Sequence, residues 1–142
     1  MKVETFRQFY KTRYQRIVQA AHDCGMHMIW HNCGQILDMI PDIIEIGVDV
    51  IQLDQPRLMG HQELINRFGD QICFWNTVDI QWSAQEKLSQ DTIKAEVAEM
   101  TKIFSRPNGG FLARQYPQGN DINPSAERHH MIYQAFMDNG CK

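Results

Sequence analysis

The chain has 142 residues, of which 43% are hydrophobic and 22% charged, with 9 glycines and 5 prolines. This is the composition of a globular chain with enough apolar mass for one core, and it excludes disorder, collagen and coiled coil. A formal charge of −3 gives no electrostatic footprint for nucleic acid, and no run approaches the roughly 20 apolar residues of a membrane span. The opening residues carry charges where a signal peptide would carry its apolar stretch, so the expectation is a cytoplasmic chain with no nucleic-acid or membrane partner. Cys24, Cys33, Cys73 and Cys141 are too sparse for a disulfide framework and read as reduced thiols or ligands.

In chain order, Val3, Phe6, Tyr10, Ile17, Ala21 and Cys24 recur at helical spacing, predicting one leading helix over 3–24 that stops at Gly25. Met26 to Trp30 is a short apolar run that fits a strand buried on both faces, and it ends in His31-Asn32-Cys33-Gly34. Ile36 to Ile46 is helical by periodicity, with Pro41 marking either a late start or a kink. Val48 to Leu53 is a second strand ending in Asp54. The cycle repeats with a helix over Glu63 to Phe68, a strand from Ile72 to Val78 ending in Asp79, and a helix from Ser89 to Phe104 with Ser89 as its N-cap. A fourth strand, Gly109 to Arg114, leads into Asn123-Pro124, read as N-cap and first residue of a last helix. That helix carries Met131, Ile132, Ala135 and Phe136 on one face. The order is one helix followed by four βα units in a single domain. Strands this apolar need helices over them, which argues for a parallel sheet. No G-x-G-x-x-G follows the first strand, and His31, Asp54, Asp79 and Gln115 all fall at strand C-termini, where barrels place their active sites.

His31 and Cys33 are two residues apart at a strand end, so their side chains share a face, and imidazole plus thiolate is a ligand pair suited to zinc. A catalytic zinc needs a third protein ligand. Asp54 and Asp79 on neighbouring strands are candidates, whereas Cys73 lies at the opposite end of its strand. The two aspartates could equally act as general acid or base, bind a substrate amine, or cap their βα loops. Trp75 reads as strand core and Trp82 as a pocket wall. His22, His129 and His130 fall within helices and read as surface or groove residues.

The run from His31 to Val50, followed by Phe68-Gly69-Asp70, by Phe74 to Asp79, by Gly109-Gly110-Phe111 and by Asp121-Ile122-Asn123-Pro124, resembles the C-terminal half of the uroporphyrinogen decarboxylase superfamily. The resemblance implies the C-terminal half of a TIM (β/α)8 barrel over 1–142, belonging to a longer enzyme or pairing with another half. It also implies one of two chemistries. One is zinc-dependent methyl transfer from a corrinoid on a partner protein to a small-molecule thiol, with His31 and Cys33 on the metal. The other is decarboxylation of a tetrapyrrole without any cofactor. In the first branch the third ligand is a cysteine at the last strand exit and in the second that exit carries a histidine, whereas here residues 113–119 contain neither and offer Tyr116. On this reading Asp54, Asp79 and Tyr116 form the catalytic set, and Gln115 and Trp82 face the cofactor. A truncated domain that binds or self-associates without turnover is the expectation from outside the enzyme class.

Overall fold

The computed structural model describes residues 1–85, 87–116 and 125–140. Four parallel strands, β1 (Ile29–Asn32), β2 (Val50–Leu53), β3 (Cys73–Asn76) and β4 (Phe111–Ala113), form one sheet in the order β1-β2-β3-β4. Parallel neighbours require crossover connections. Those crossovers carry α3 (Ile40–Glu45), α4 (His61–Phe68) and α6 (Gln90–Phe104), while α7 (Ala126–Asn139) follows β4. The fold is α/β, as the apolar runs predict. No helix among the described residues is long and apolar enough to cross a membrane.

The leading helix is divided. α1 (Val3–Phe9) and α2 (Lys11–Asp23) meet at Tyr10, whose φ of −120° leaves the helical region. The change of direction rotates the buried face of α2, so Val18 is 2% exposed while Ile17, on the predicted apolar stripe, is 55% exposed. At the end of α2, Gly25 adopts φ 72° and the Met26 N–H donates to the Ala21 carbonyl. This left-handed cap ties Met26 to the helix and delays the strand to Ile29. The Asp49 carboxylate then fixes the strand entry by accepting from the Met28 N–H at 2.7 Å and from His22 at 2.9 Å. Burial works against that charge, but these bonds outweigh it and hold the Asp49 pKa down to about 2. His22 is exposed, as its place in the helix predicts, and it also anchors the entry to β1 and β2.

Pro41 marks a late helix start, because α3 begins at Ile40 and has the proline in its first turn. Two short elements escape the sequence periodicity, a 3₁₀ turn over Pro56–Leu58 and α5 (Ile80–Ser83). Ser89 caps α6 by accepting from the Thr92 N–H, as expected. The last helix is capped by Ser125, which accepts from the Arg128 N–H. The expected cap at Asn123-Pro124 lies outside the described residues, as does Cys141; Cys24, Cys33 and Cys73 are free thiols.

The sheet has two unlike faces. Toward the helices, Ile51, Leu53 and Phe74 are fully buried with Ile40, Ile43, Ile93, Val97, Met100 and Phe104. On the opposite face Ile29 and Leu112 are each 49% exposed and Trp75 is half-buried. The strands are thus fully covered on one side, whereas the other side is open at its outer strands and buried only at its centre, where Gln52 is 0% exposed.

Candidate metal centre

Pairing of β1 with β2 sets His31 beside Gln52. Because side chains alternate along a strand, His31 and Cys33 of one chain segment and Gln52 and Asp54 of the next project from the same, open face at the strand C-termini. Cys33 Sγ lies 3.6 Å from His31 Nε2 and 3.3 Å from Asp54 Oδ2, and His31 Nε2 lies 3.8 Å from the same oxygen. The three form the one group of metal-ligating side chains of this size among the described residues. Zinc bonded tetrahedrally at about 2.0–2.3 Å to nitrogen, oxygen and sulfur holds its ligand atoms about 3.3–3.7 Å apart. The Cys33–His31 edge of 3.6 Å has that size, while the His31–Asp54 edge of 3.8 Å is some tenths of an ångström longer than a nitrogen–oxygen pair on zinc and the Cys33–Asp54 edge of 3.3 Å slightly shorter than a sulfur–oxygen pair; the imidazole–thiol–carboxylate donor set suits zinc. The residues fit the metal that the resemblance implies.

The carboxylate is held from several sides. Asp54 is 1% exposed. Tyr116 donates its hydroxyl hydrogen to Oδ1 at 2.6 Å and Oδ2 at 2.7 Å, and the Gln52 amide donates to Oδ1 at 2.7 Å. Burial disfavours the charge on Asp54, but the hydrogen bonds from Tyr116, Gln52 and Cys33 outweigh it and hold the carboxyl below the usual carboxylate range. The same contacts act oppositely on the donors. Burial and the bond to Asp54 push the Tyr116 phenol up to about 12, so it remains a donor throughout the physiological range. Burial, then the bond to Asp54, also raises the Cys33 thiol.

Two contacts keep the surrounding loops in place. The Gly34 N–H donates to the Gln55 side-chain carbonyl across the strand exits. His129 Nε2–H donates to the Tyr116 carbonyl at 2.6 Å, so this half-buried α7 histidine tethers the β4 exit. Arg114 spreads its guanidinium over the Trp75 ring at 4.8 Å and the Tyr116 ring at 4.4 Å from the centroids.

Of the sequence-predicted residues, His31, Cys33, Asp54 and Tyr116 come together. Asp79 serves as the N-cap of α5, accepting from the Gln81 and Trp82 N–H groups. Gln115 directs its amide to the His129 carbonyl at 3.4 Å. The two tryptophans exchange their expected places. Trp75 stands on the open face against Arg114, whereas Trp82 packs against the core under the Arg57 guanidinium. Cys73 opens β3, at the far end of the sheet from the triad.

The comparison with known families completes the picture. A family model described as Uroporphyrinogen decarboxylase (URO-D) matches residues 1–113, about four-fifths of the chain. The chain belongs to the uroporphyrinogen decarboxylase family. The match takes in all four strands, together with His31, Cys33, Gln52 and Asp54, and ends before Tyr116 and α7. This is a family of (β/α)8 barrels, and the parallel order seen here accords with it. A search of the curated proteins finds no match.

Proposed function

We propose that the protein is a zinc-dependent thiol methyltransferase of the uroporphyrinogen decarboxylase family, taking the methyl group from a corrinoid carried by a partner protein. The observation that carries this reading is the His31–Cys33–Asp54 triangle, three zinc-suited donor atoms within 3.3–3.8 Å of one another, so that small side-chain shifts bring all three to one ion. Zinc, when bound, lowers the pKa of a substrate thiol and keeps it a nucleophile at neutral pH. The chain's own residues define the rest. Asp54 supplies a negative charge in a buried position, and Tyr116 and Gln52 keep that charge oriented by donating to it. His31 and Cys33 are both exposed on the open face, leaving room for an incoming thiol. Asp79, Gln115 and Trp82, whose contacts lie elsewhere, are assigned no part in it. The purified protein is expected to retain about one zinc per chain after exhaustive dialysis and to lose it in His31→Ala and Cys33→Ala. A wild-type protein without bound metal would overturn this reading in favour of metal-free decarboxylation.

We propose further that the sheet is half of a barrel. Among the described residues both outer strands offer an unpaired edge, and the open face leaves Ile29 and Leu112 half exposed, which is a template for pairing. Four complementary strands, from a second copy or from an N-terminal half, would close it around the metal triad. Sedimentation velocity over a range of concentrations should show association of the isolated 142-residue chain. A compact monomer at every concentration would defeat the idea.

A further inference from the structure

Gln52 is fully buried, lies in the strand sequence Val50-Ile51-Gln52-Leu53, and has both ends of its carboxamide engaged. Its nitrogen meets Asp54 Oδ1 at 2.7 Å and its oxygen meets His31 Nδ1. The chemistry of these three groups allows one arrangement of protons. Asp54 is the acceptor in its contacts here, taking the Tyr116 hydroxyl on both oxygens and the Cys33 thiol on Oδ2. The Gln52 NH₂ must therefore face it, because the flipped amide would set carbonyl oxygen against carboxylate oxygen. The Gln52 oxygen then faces His31, and since that oxygen also only accepts, Nδ1 must carry the hydrogen. In a neutral imidazole the second nitrogen is then unprotonated. That nitrogen is Nε2, the atom 3.6 Å from Cys33 Sγ and 3.8 Å from Asp54 Oδ2.

We propose that Gln52 is a positioning residue that transmits the charge of Asp54 to the ring of His31, fixing the Nδ1–H tautomer and presenting the Nε2 lone pair to the metal position. This deepens the metal reading given above and rests on it for the last step alone. One side chain thereby orients two of the three donors. An outer partner of this kind sets both the tautomer and the basicity of a histidine ligand. Burial adds to the effect, since an unpaired carboxamide at this depth has no water to turn to.

The test separates the tautomer from the metal. In the metal-free protein, long-range ¹⁵N–¹H correlation spectra of His31 are expected to show a protonated Nδ1 and an unprotonated Nε2. Gln52→Met, of similar volume but unable to hydrogen-bond, should lose that fixed pattern, while Gln52→Glu, which keeps an acceptor opposite Nδ1, should retain it. Zinc titration should show Gln52→Met binding about 10-fold or more weakly than wild type. A wild-type His31 with its proton on Nε2 would overturn the proposal. So would a Gln52→Met protein with an unchanged tautomer and unchanged zinc affinity. If Gln52→Met does not fold, the wild-type and Gln52→Glu spectra still decide the assignment. A wild type with the expected tautomer that binds no zinc would sink the metal reading and leave the role of Gln52 toward His31 standing.

Discussion

Replacing Asp54 with alanine is expected to weaken zinc binding by more than about 100-fold, beyond the 10–100-fold range that changes around a ligand usually cost. The effect is large because the substitution acts twice. It removes one corner of the His31–Cys33–Asp54 triangle, and it strands the donors that converge on that corner. Tyr116 loses the partner of its hydroxyl, and Gln52 loses the anion that fixes its amide orientation, so the His31 tautomer is released as well. Asp54→Asn separates the parts. It keeps the shape but removes the charge, and with its oxygen turned to Gln52 and Tyr116 its NH₂ replaces the Oδ2 that faces Cys33 and His31, so its affinity should fall nearly as far. Isothermal titration with zinc, on protein shown to be folded by circular dichroism, reads the effect directly. An Asp54→Ala protein that binds zinc within a factor of about three of wild type would make Asp54 an anchor for Tyr116 and not a ligand.

The reason His31 and Cys33 were legible as a pair is geometric: two residues apart at the end of an apolar run means one face of one strand. Asp54 was legible as a strand-end carboxylate, but its choice over Asp79 was not, since capping and coordination use the same residue type at the same place. The structure separates them, with Asp79 capping α5 and Asp54 beside the thiol. Gln52 went unread because a single polar residue within Val-Ile-Gln-Leu looks like a break in an apolar strand. The available signal was its parity. It lies two residues before Asp54 and so shares its face, and an amide at that depth needs partners. Trp75, read as core, stands on the open face for a related reason. Alternation tells which residues share a face, but it does not tell which of the two faces the helices cover.

At the level of the fold, the order and direction of the strands follow from four apolar runs separated by helical stretches, and all four appear. Boundaries moved where a local hydrogen bond outranked periodicity, as at Met26, which the cap of α2 captures. The break at Tyr10 carries neither glycine nor proline, so nothing in the local sequence announces it. Pro56–Leu58 and Ile80–Ser83 are each too short to show a helical period at all.

The largest stability effect should come from Phe104→Ala. Phe104 is fully buried at the end of α6, and its ring meets three others: Phe74 at 5.2 Å, Phe111 at 5.4 Å and His61 at 5.6 Å between centroids. It therefore joins α6 to β3, β4 and α4 in one cluster, and its neighbours belong to separate elements that cannot close over the void together. Deleting such a ring costs about 3–5 kcal/mol. Typical domains hold only about 5–15 kcal/mol of stability, so this loss is a large fraction of the whole. With a urea dependence of about 1–3 kcal/mol per molar, the unfolding midpoint should fall by roughly 2 M, or the variant should be unfolded without denaturant. Ile17→Ser is the matching control. The sequence pattern places Ile17 on the buried stripe, whereas the bend at Tyr10 leaves it 55% exposed, and its substitution should change stability by no more than about 0.5 kcal/mol. Equal losses from the two substitutions would mean that the helix pair α1–α2 is continuous, as the periodicity alone suggests, and that the division at Tyr10 is wrong.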